Sequence, residues 1–199
     1  MTTSGTTTSS PSKTCDLSVA LLHDKMWDKT GQTVTTSVTL IDVHDIARSS
    51  RTFGATNLFI SHPSQTMRAL VRTVKSHWDT GFGLEYNPNR TDALSVVSIV
   101  RDLDEAIQQI DKRCGCLPKI IATSAHHGPD RTSYSEMRQI LDRADTPFLL
   151  LFGTGWGMSE ELLARADYFL EPIDGPTDYN HLSVRAAAAI TLDRLRGKY

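Results

Sequence analysis

The chain has 199 residues, 39% of them hydrophobic, and a formal net charge of -2, which fits one domain with a sizeable core. A charge so close to zero gives no global pull toward nucleic acid, so any RNA contact must rest on local clusters. No apolar run approaches the roughly 18 residues of a membrane span.

Residues 1–14 read MTTSGTTTSSPSKT. They lack the apolar segment of a signal peptide and are expected to form a disordered tail before a single domain over 15–199. Cys15, Cys114 and Cys116 are too few and too oddly spaced for a disulfide framework or a zinc site. Free thiols and a cytoplasmic protein are expected. Leu17 to Leu22 (LSVALL) reads as a strand. The stretch after Ile41 reads as a helix, with Val43, Ile46, Ala47 and Phe53 on one face, Asp42 at the N-cap and Gly54 as the stop. Asn57 to Ile60 is a strand and Ser64 to Trp78 a helix. Residues 79–92 are rich in turn formers and are expected to be a long loop. Leu94 to Val100 is β-branched and reads as a strand, Leu103 to Ile110 as a helix, and Lys119 to Ser124 as a strand. Ser133 to Leu141 is a helix, Pro147 to Phe152 a buried strand, Ser159 to Arg165 a helix and Tyr168 to Leu170 a short strand. A loop over Pro172 to Asn180 leads to a last helix, His181 to Leu195. This alternation predicts an α/β fold, a mostly parallel sheet with helices on both faces. Ligands in such sheets bind beyond the carboxyl ends of the strands. That directs attention to residues 123–130, 153–157 and 172–180 and to the turn near Asp42.

Gly153-Thr-Gly-Trp-Gly157 follows a buried strand. Its glycines let backbone approach a ligand closely. The spacing is not that of a phosphate loop, no lysine is present, and Glu160 and Glu161 would repel a phosphate at the next helix. A ligand without phosphate fits better; a tight turn with no ligand is the alternative. Residues 171–178 (EPIDGPTD) carry three carboxylates and two prolines, which suits a cationic group or simply a turn. Arg48 and Arg51 are candidates for an RNA phosphate or base edge; the alternative is a plain Asp45–Arg48 ion pair. His126 and His127 have no further ligands at metal spacing, so no metal is expected. The Ala186–Ala189 run permits close packing with another helix or a twin subunit, and Arg185 adds positive charge there. No G-x-S-x-G elbow or other nucleophile triad is present.

Taken together, Asp42 to Gly54, Leu149 to Glu160 (LLLFGTGWGMSE) and Phe169 to Ile190 (FLEPIDGPTDYNHLSVRAAAAI) resemble the three motifs of the SPOUT superfamily of RNA methyltransferases. Residues 15–197 as a whole look like one small bacterial family within it, sometimes found fused to tRNA guanine-N1 methyltransferases. The resemblance implies a deep C-terminal trefoil knot, a homodimer, and S-adenosyl-L-methionine (SAM) as cofactor. The cofactor would be held by Thr123, Ser124 and Ala125; by Phe152, Gly153, Thr154, Gly155 and Gly157; and by Ile173, Tyr179, Asn180, His181, Leu182 and Ser183. Backbone amides there would read the adenine. Arg48 would be catalytic, with Asp42 or His44 as general base, and Arg48, Arg51 and Arg185 would face a tRNA or rRNA substrate. The ribose-methylating branch carries Asn at the position of Asp42, Gly at His44, Asn at Ser183 and Ser at Arg185, which leaves ribose hydroxyl and base nitrogen both open as targets. Two other readings stand beside this one: a catalytically silent RNA- or SAM-binding module acting with a partner methyltransferase, and a flavodoxin-like nucleotide binder.

Overall fold

The computed structural model describes residues 16–80 and 85–199. The N-terminal tail and Cys15 lie outside them. The central strands are the continuous apolar runs of the sequence. β1 (Leu17–Leu22) is buried along its whole length and pairs on one side with β4 (Asn57–Ser61) and on the other with β8 (Phe148–Gly153). With β5 (Val97–Val100), β6 (Lys119–Ala122), β7 (Arg131–Thr132) and β9 (Tyr168–Leu170) they form one sheet, all parallel, in the order β5-β4-β1-β8-β6-β9-β7.

Both sheet faces are covered, which is why β1 and β8 carry no polar alternation. Leu17, Val19 and Leu21 face one core, built with α1 (Leu40–Thr52), α2 (Gln65–Asp79), α5 (Tyr134–Arg143) and α7 (Val184–Arg196). Ala20 and Leu22 face a second core, closed by α4 (Leu103–Cys114) and the single turn α6 (Glu160–Leu163). Local chemistry sets the ends. Asp102 and Ser133 cap α4 and α5 through their side chains, and Gly115 closes α4 in the left-handed region at φ 76.

Several expectations need correction. The N-cap of α1 is Thr39, not Asp42; Asp42 lies inside the first turn and is buried. The expected loop over 79–92 holds a helix, α3 (Pro88–Ser95), in which Asn87 accepts the Arg90 N–H and Pro88 opens the first turn. Leu94 and Ser95 therefore end a helix, and the strand starts only at Val97. Residues 81–84 of that loop lie outside the described residues. The last helix starts at Val184, with Ser183 as a side-chain cap, so His181 and Leu182 belong to the preceding loop. A hairpin of β2 (Met26–Trp27) and β3 (Thr33–Val34), and the two-residue β7, are additions that periodicity does not reveal. No helix among the described residues is long and apolar enough to cross a membrane.

Candidate cofactor and RNA site

The sheet order decides what meets what. β8, β6 and β9 are neighbours, so the loops that leave their carboxyl ends share one edge. These are the loops that begin at Thr123, Gly153 and Glu171, the segments singled out in the sequence. Thr123 Oγ1 donates to the Leu151 carbonyl at 2.8 Å, tying the first loop to β8. The Asn180 amide donates to the Ala125 carbonyl at 3.0 Å, tying the third loop to the first. His127 and Asp174 add a second link between the same loops at 3.2 Å. Tyr179 and His181 meet edge to face, and both are exposed.

The glycine loop is gripped by the chain itself. Trp27 donates its N–H to the Gly157 carbonyl at 2.8 Å and accepts the Trp156 N–H at 3.1 Å. Met26 bridges to Met158. Thr36 Oγ1 meets Thr154 Oγ1, while the Thr36 N–H donates to the His23 carbonyl at 2.7 Å. A Cβ at Gly153 would lie 2.7 Å from Met158 Cγ, and one at Gly155 only 3.2 Å from Thr36 and 3.3 Å from the Trp27 carbonyl. Both glycines thus let the loop lie close against its neighbours, Gly153 against Met158 and Met26 and Gly155 against Thr36 and the Trp27 carbonyl. Gly157 differs: its φ of 106 demands glycine, and the space beyond it is open. Within the loop the amides of Thr154, Trp156 and Gly157 are engaged internally. The Phe152 side chain is packed in the core, which leaves only its backbone to touch a ligand.

Of the carboxylates foreseen for a cation, Glu171 accepts the Tyr134 N–H at 2.8 Å, and Asp174 meets His127. Asp178 stands exposed. Glu161 is held by Lys25. With no lysine in the glycine loop and carboxylates around it, the edge suits a cationic ligand without phosphate. The residues present fit SAM in that respect.

The predicted catalytic residues lie on α1. Asp42 pairs with Arg185 of α7 at 2.9 Å, and Arg185 also approaches Asp45 at 3.5 Å. Arg51 pairs with Asp92 of α3 at 3.0 Å. The expected Asp45–Arg48 pair does not form: among the described residues Arg48 makes no ion pair, and it lines a cleft with Asn87, Asn89 and Arg90. His44 packs edge-on against Trp78, and its Nδ1 is buried with no hydrogen-bond partner. Burial, followed by the charge of Arg90, pushes the His44 pKa down, with Arg48 acting in the same direction. Among the described residues no group of three or more His, Cys, Asp or Glu is placed to hold a metal ion.

The sequence reading missed two buried histidines at the strand ends. His23 follows β1 and His62 follows β4, with rings 5.7 Å apart. His23 Nδ1 donates to the Ser61 carbonyl at 3.1 Å. His62 accepts the Ser64 N–H through Nδ1 and donates from Nε2 to the Thr36 carbonyl at 3.0 Å. The His62 ring therefore braces the segment that leads from the hairpin into α1, while the His23 ring ties the end of β1 to the end of β4. Their position just past an apolar strand was the available signal.

Fold and edge together define a parallel α/β protein in which three loops past the strand ends meet as a candidate small-molecule site. The chain belongs to the SAM-dependent RNA methyltransferase family, whose model matches residues 16–197. It is 39% identical over 177 residues to an uncharacterized protein of Aquifex aeolicus, covering 89% of this chain and 86% of the relative. It is 42% identical over 182 residues to a tRNA (guanine-N(1)-)-methyltransferase of Oleidesulfovibrio alaskensis, covering 92% of this chain but only 42% of that protein. The fold is also that of the SpoU methyltransferase AviRb from Streptomyces viridochromogenes, with a TM-score of 0.57, 17% identity, and coverage of 93% of this chain and 60% of the other.

Proposed function

We propose that this member of the family binds SAM among the three loops at the carboxyl edge of β6, β8 and β9 and methylates a tRNA or rRNA in the cytoplasm. The observation that carries the reading is the meeting of those loops, fastened by Asn180 to Ala125, in a chain that matches the RNA methyltransferase family from residue 16 to 197. Ser124, Gly155, Gly157, Ile173, Leu182 and Ser183 complete the cofactor surface, and the last three strands and α7 form the knot. When bound, the cofactor supplies a methyl group on a sulfonium that is already an activated leaving group. The protein's share is positioning. Arg48 orients the RNA, and a general base takes the proton from the attacking oxygen or nitrogen.

His44 suits the role of base better than Asp42. Burial, then Arg90, push its pKa down against Asp45, with Arg48 helping, which favours the neutral form a base needs; because Nδ1 is buried, the proton would go to Nε2. Asp42 is already engaged by Arg185. Arg48 shares its cleft with α3 and not with the cofactor loops, which favours a homodimer in which α1 of one copy serves the cofactor edge of the other. Ile41 and Leu182, 51% and 46% exposed beside the Asp42–Arg185 pair, supply an apolar face for that contact. The second reading, a silent module that works with a partner methyltransferase, draws support from the Oleidesulfovibrio relative, which is more than twice as long as its match to this chain.

Mass spectrometry of tRNA and rRNA nucleosides from a deletion strain and its parent tests both readings. A methylated nucleoside missing from the deletion and restored by the wild-type gene, but not by Arg48→Ala, supports the enzyme. Full modification without the gene, with SAM still bound by the purified protein, supports the silent module.

A further inference from the structure

Three helices, α1, α2 and α3, converge on Trp78, near the end of α2. His44 of α1 meets its ring edge-on at 6.2 Å between centroids. Arg90 of α3 lies over its face, 4.4 Å from the centroid. The Thr91 hydroxyl donates to the Trp78 carbonyl at 2.7 Å, and Arg51 grips Asp92 through Nε, with both carboxylate oxygens within 3.1 Å. α3 is thereby fixed against both neighbours. Beside this hub opens a cleft of about 140 Å³, lined by Arg48, Asn87, Asn89 and Arg90.

The composition of that cleft is one-sided. Among the described residues it is lined by two guanidinium groups and two carboxamides, with no carboxylate. Other arginines nearby are neutralised: Arg51 by Asp92, Arg185 by Asp42 and Asp45. Among the described residues neither Arg48 nor Arg90 makes an ion pair. Two like charges held in one recess repel each other, and an anion relieves that repulsion. Stacking on Trp78 also fixes the Arg90 guanidinium in advance, so less side-chain entropy is lost when it binds. A planar fork fixed in this way matches phosphate geometry. Asn87 uses its side-chain oxygen to cap Arg90, which leaves its amide donor available.

We propose that the cleft lined by Arg48, Asn87, Asn89 and Arg90 holds a backbone phosphate of the RNA substrate, with Arg90 as a second phosphate-binding arginine beside Arg48. This rests on the reading of RNA as substrate. It adds to that reading a helix, α3, that none of the three recognised motifs includes.

The test measures binding of end-labelled total tRNA and fragmented rRNA by fluorescence anisotropy over a range of salt, with SAM affinity measured by calorimetry on the same proteins. Arg90→Ala is expected to weaken RNA binding by about tenfold and to lower the slope of log K against log salt by about one. SAM affinity should not change. Asn89→Asp places a negative charge in the cleft without harming α3, because acidic residues favour a helix's first turn; it should weaken RNA binding as well. Arg101→Ala, which removes an exposed arginine paired with Asp102 elsewhere, should leave RNA binding as it is. If Arg90→Ala loses its fold, seen as lost SAM binding, Asn89→Asp decides. RNA affinity and salt slope unchanged in Asn89→Asp, or in a folded Arg90→Ala, would overturn the phosphate site and leave RNA methylation standing. A wild-type protein that binds SAM and no RNA would remove the RNA reading and the proposal together.

Discussion

Asp42 and Arg185, 143 residues apart in sequence, form an ion pair at 2.9 Å that fastens the first turn of α1 to the first turn of α7. The carboxylate is nearly buried and the guanidinium 38% exposed. Removing Arg185 leaves a poorly hydrated carboxylate without its partner. Arg185→Ala should therefore cost about 1–3 kcal/mol, toward the lower end because the arginine is partly solvated. Urea denaturation checks this. If Asp42 is a clamp and not the base, Asp42→Asn lowers stability but keeps kcat within a few-fold. Loss of kcat at wild-type stability would make Asp42 the base.

His23 makes stability depend on pH. Burial, its largest influence, lowers its pKa from 6.5 to about 4; the Ser61 carbonyl opposes the shift, His62 adds to it, and Asp42 opposes it. The folded state keeps the ring neutral where the unfolded chain protonates it. Stability from this group is thus complete above pH 6.5 and is lost as pH falls from there toward 4, by about 3 kcal/mol. His23→Asn keeps a donor near the Nδ1 position and removes the titration. Urea midpoints between pH 7.5 and 4 should fall less steeply for this variant than for the wild type. Parallel curves would show that the acid sensitivity lies elsewhere.

Gly155 joins the cofactor loop to the hairpin. It sits at φ 62, and a Cβ would press on Thr36 and the Trp27 carbonyl. Gly155→Ala should cost about 1–2 kcal/mol from backbone strain alone and weaken SAM binding by displacing Thr154 and Trp156. Thr36→Val removes the hydroxyl contact with Thr154 while preserving shape. Its effect on calorimetric SAM affinity should be in the same direction and smaller. A Gly155→Ala protein with wild-type SAM affinity would mean that the grip of the hairpin does not shape the site.

What the sequence made legible follows from how local each signal is. β1 and β8 are read directly, because strands buried on both faces are apolar throughout. The cap at Ser183 is local too, yet the expected start at His181 lies in the preceding loop, where Leu182 stays exposed. α3 hid within a run of turn formers. It buries only Ala93 and Leu94, so its amphipathic signal is weak, although Asn87-Pro88 is a fair N-terminal signature. The candidate site was legible as segments and not as a place. The strand order that brings 123–125, 153–157 and 173–183 together is not the chain order. The roles of Thr36 and Arg90 depend on Thr154 and Trp78, 118 and 12 residues away, and no periodicity encodes such contacts.

His44 ties the cleft to the chemistry through its charge state. Burial lowers its pKa, and the positive charges of Arg90 and Arg48 lower it further. A general base acts in its neutral form, so the acid limb of kcat/KM for methyl transfer should lie below pH 6.5, the ordinary histidine value. Taking away a nearby positive charge favours the imidazolium and raises the pKa. In Arg90→Ala the acid limb should therefore move to higher pH, beyond any uniform loss of rate caused by weaker RNA binding. His44→Gln should abolish the limb along with most of the turnover, by roughly 10²–10⁴-fold for loss of a general base. A profile measured with unmodified RNA from the deletion strain separates the two effects, since lost affinity lowers every point equally while a shifted pKa slides the curve along the pH axis. An acid limb that stays in place in Arg90→Ala and persists in His44→Gln would take the base role from His44 and return it to Asp42.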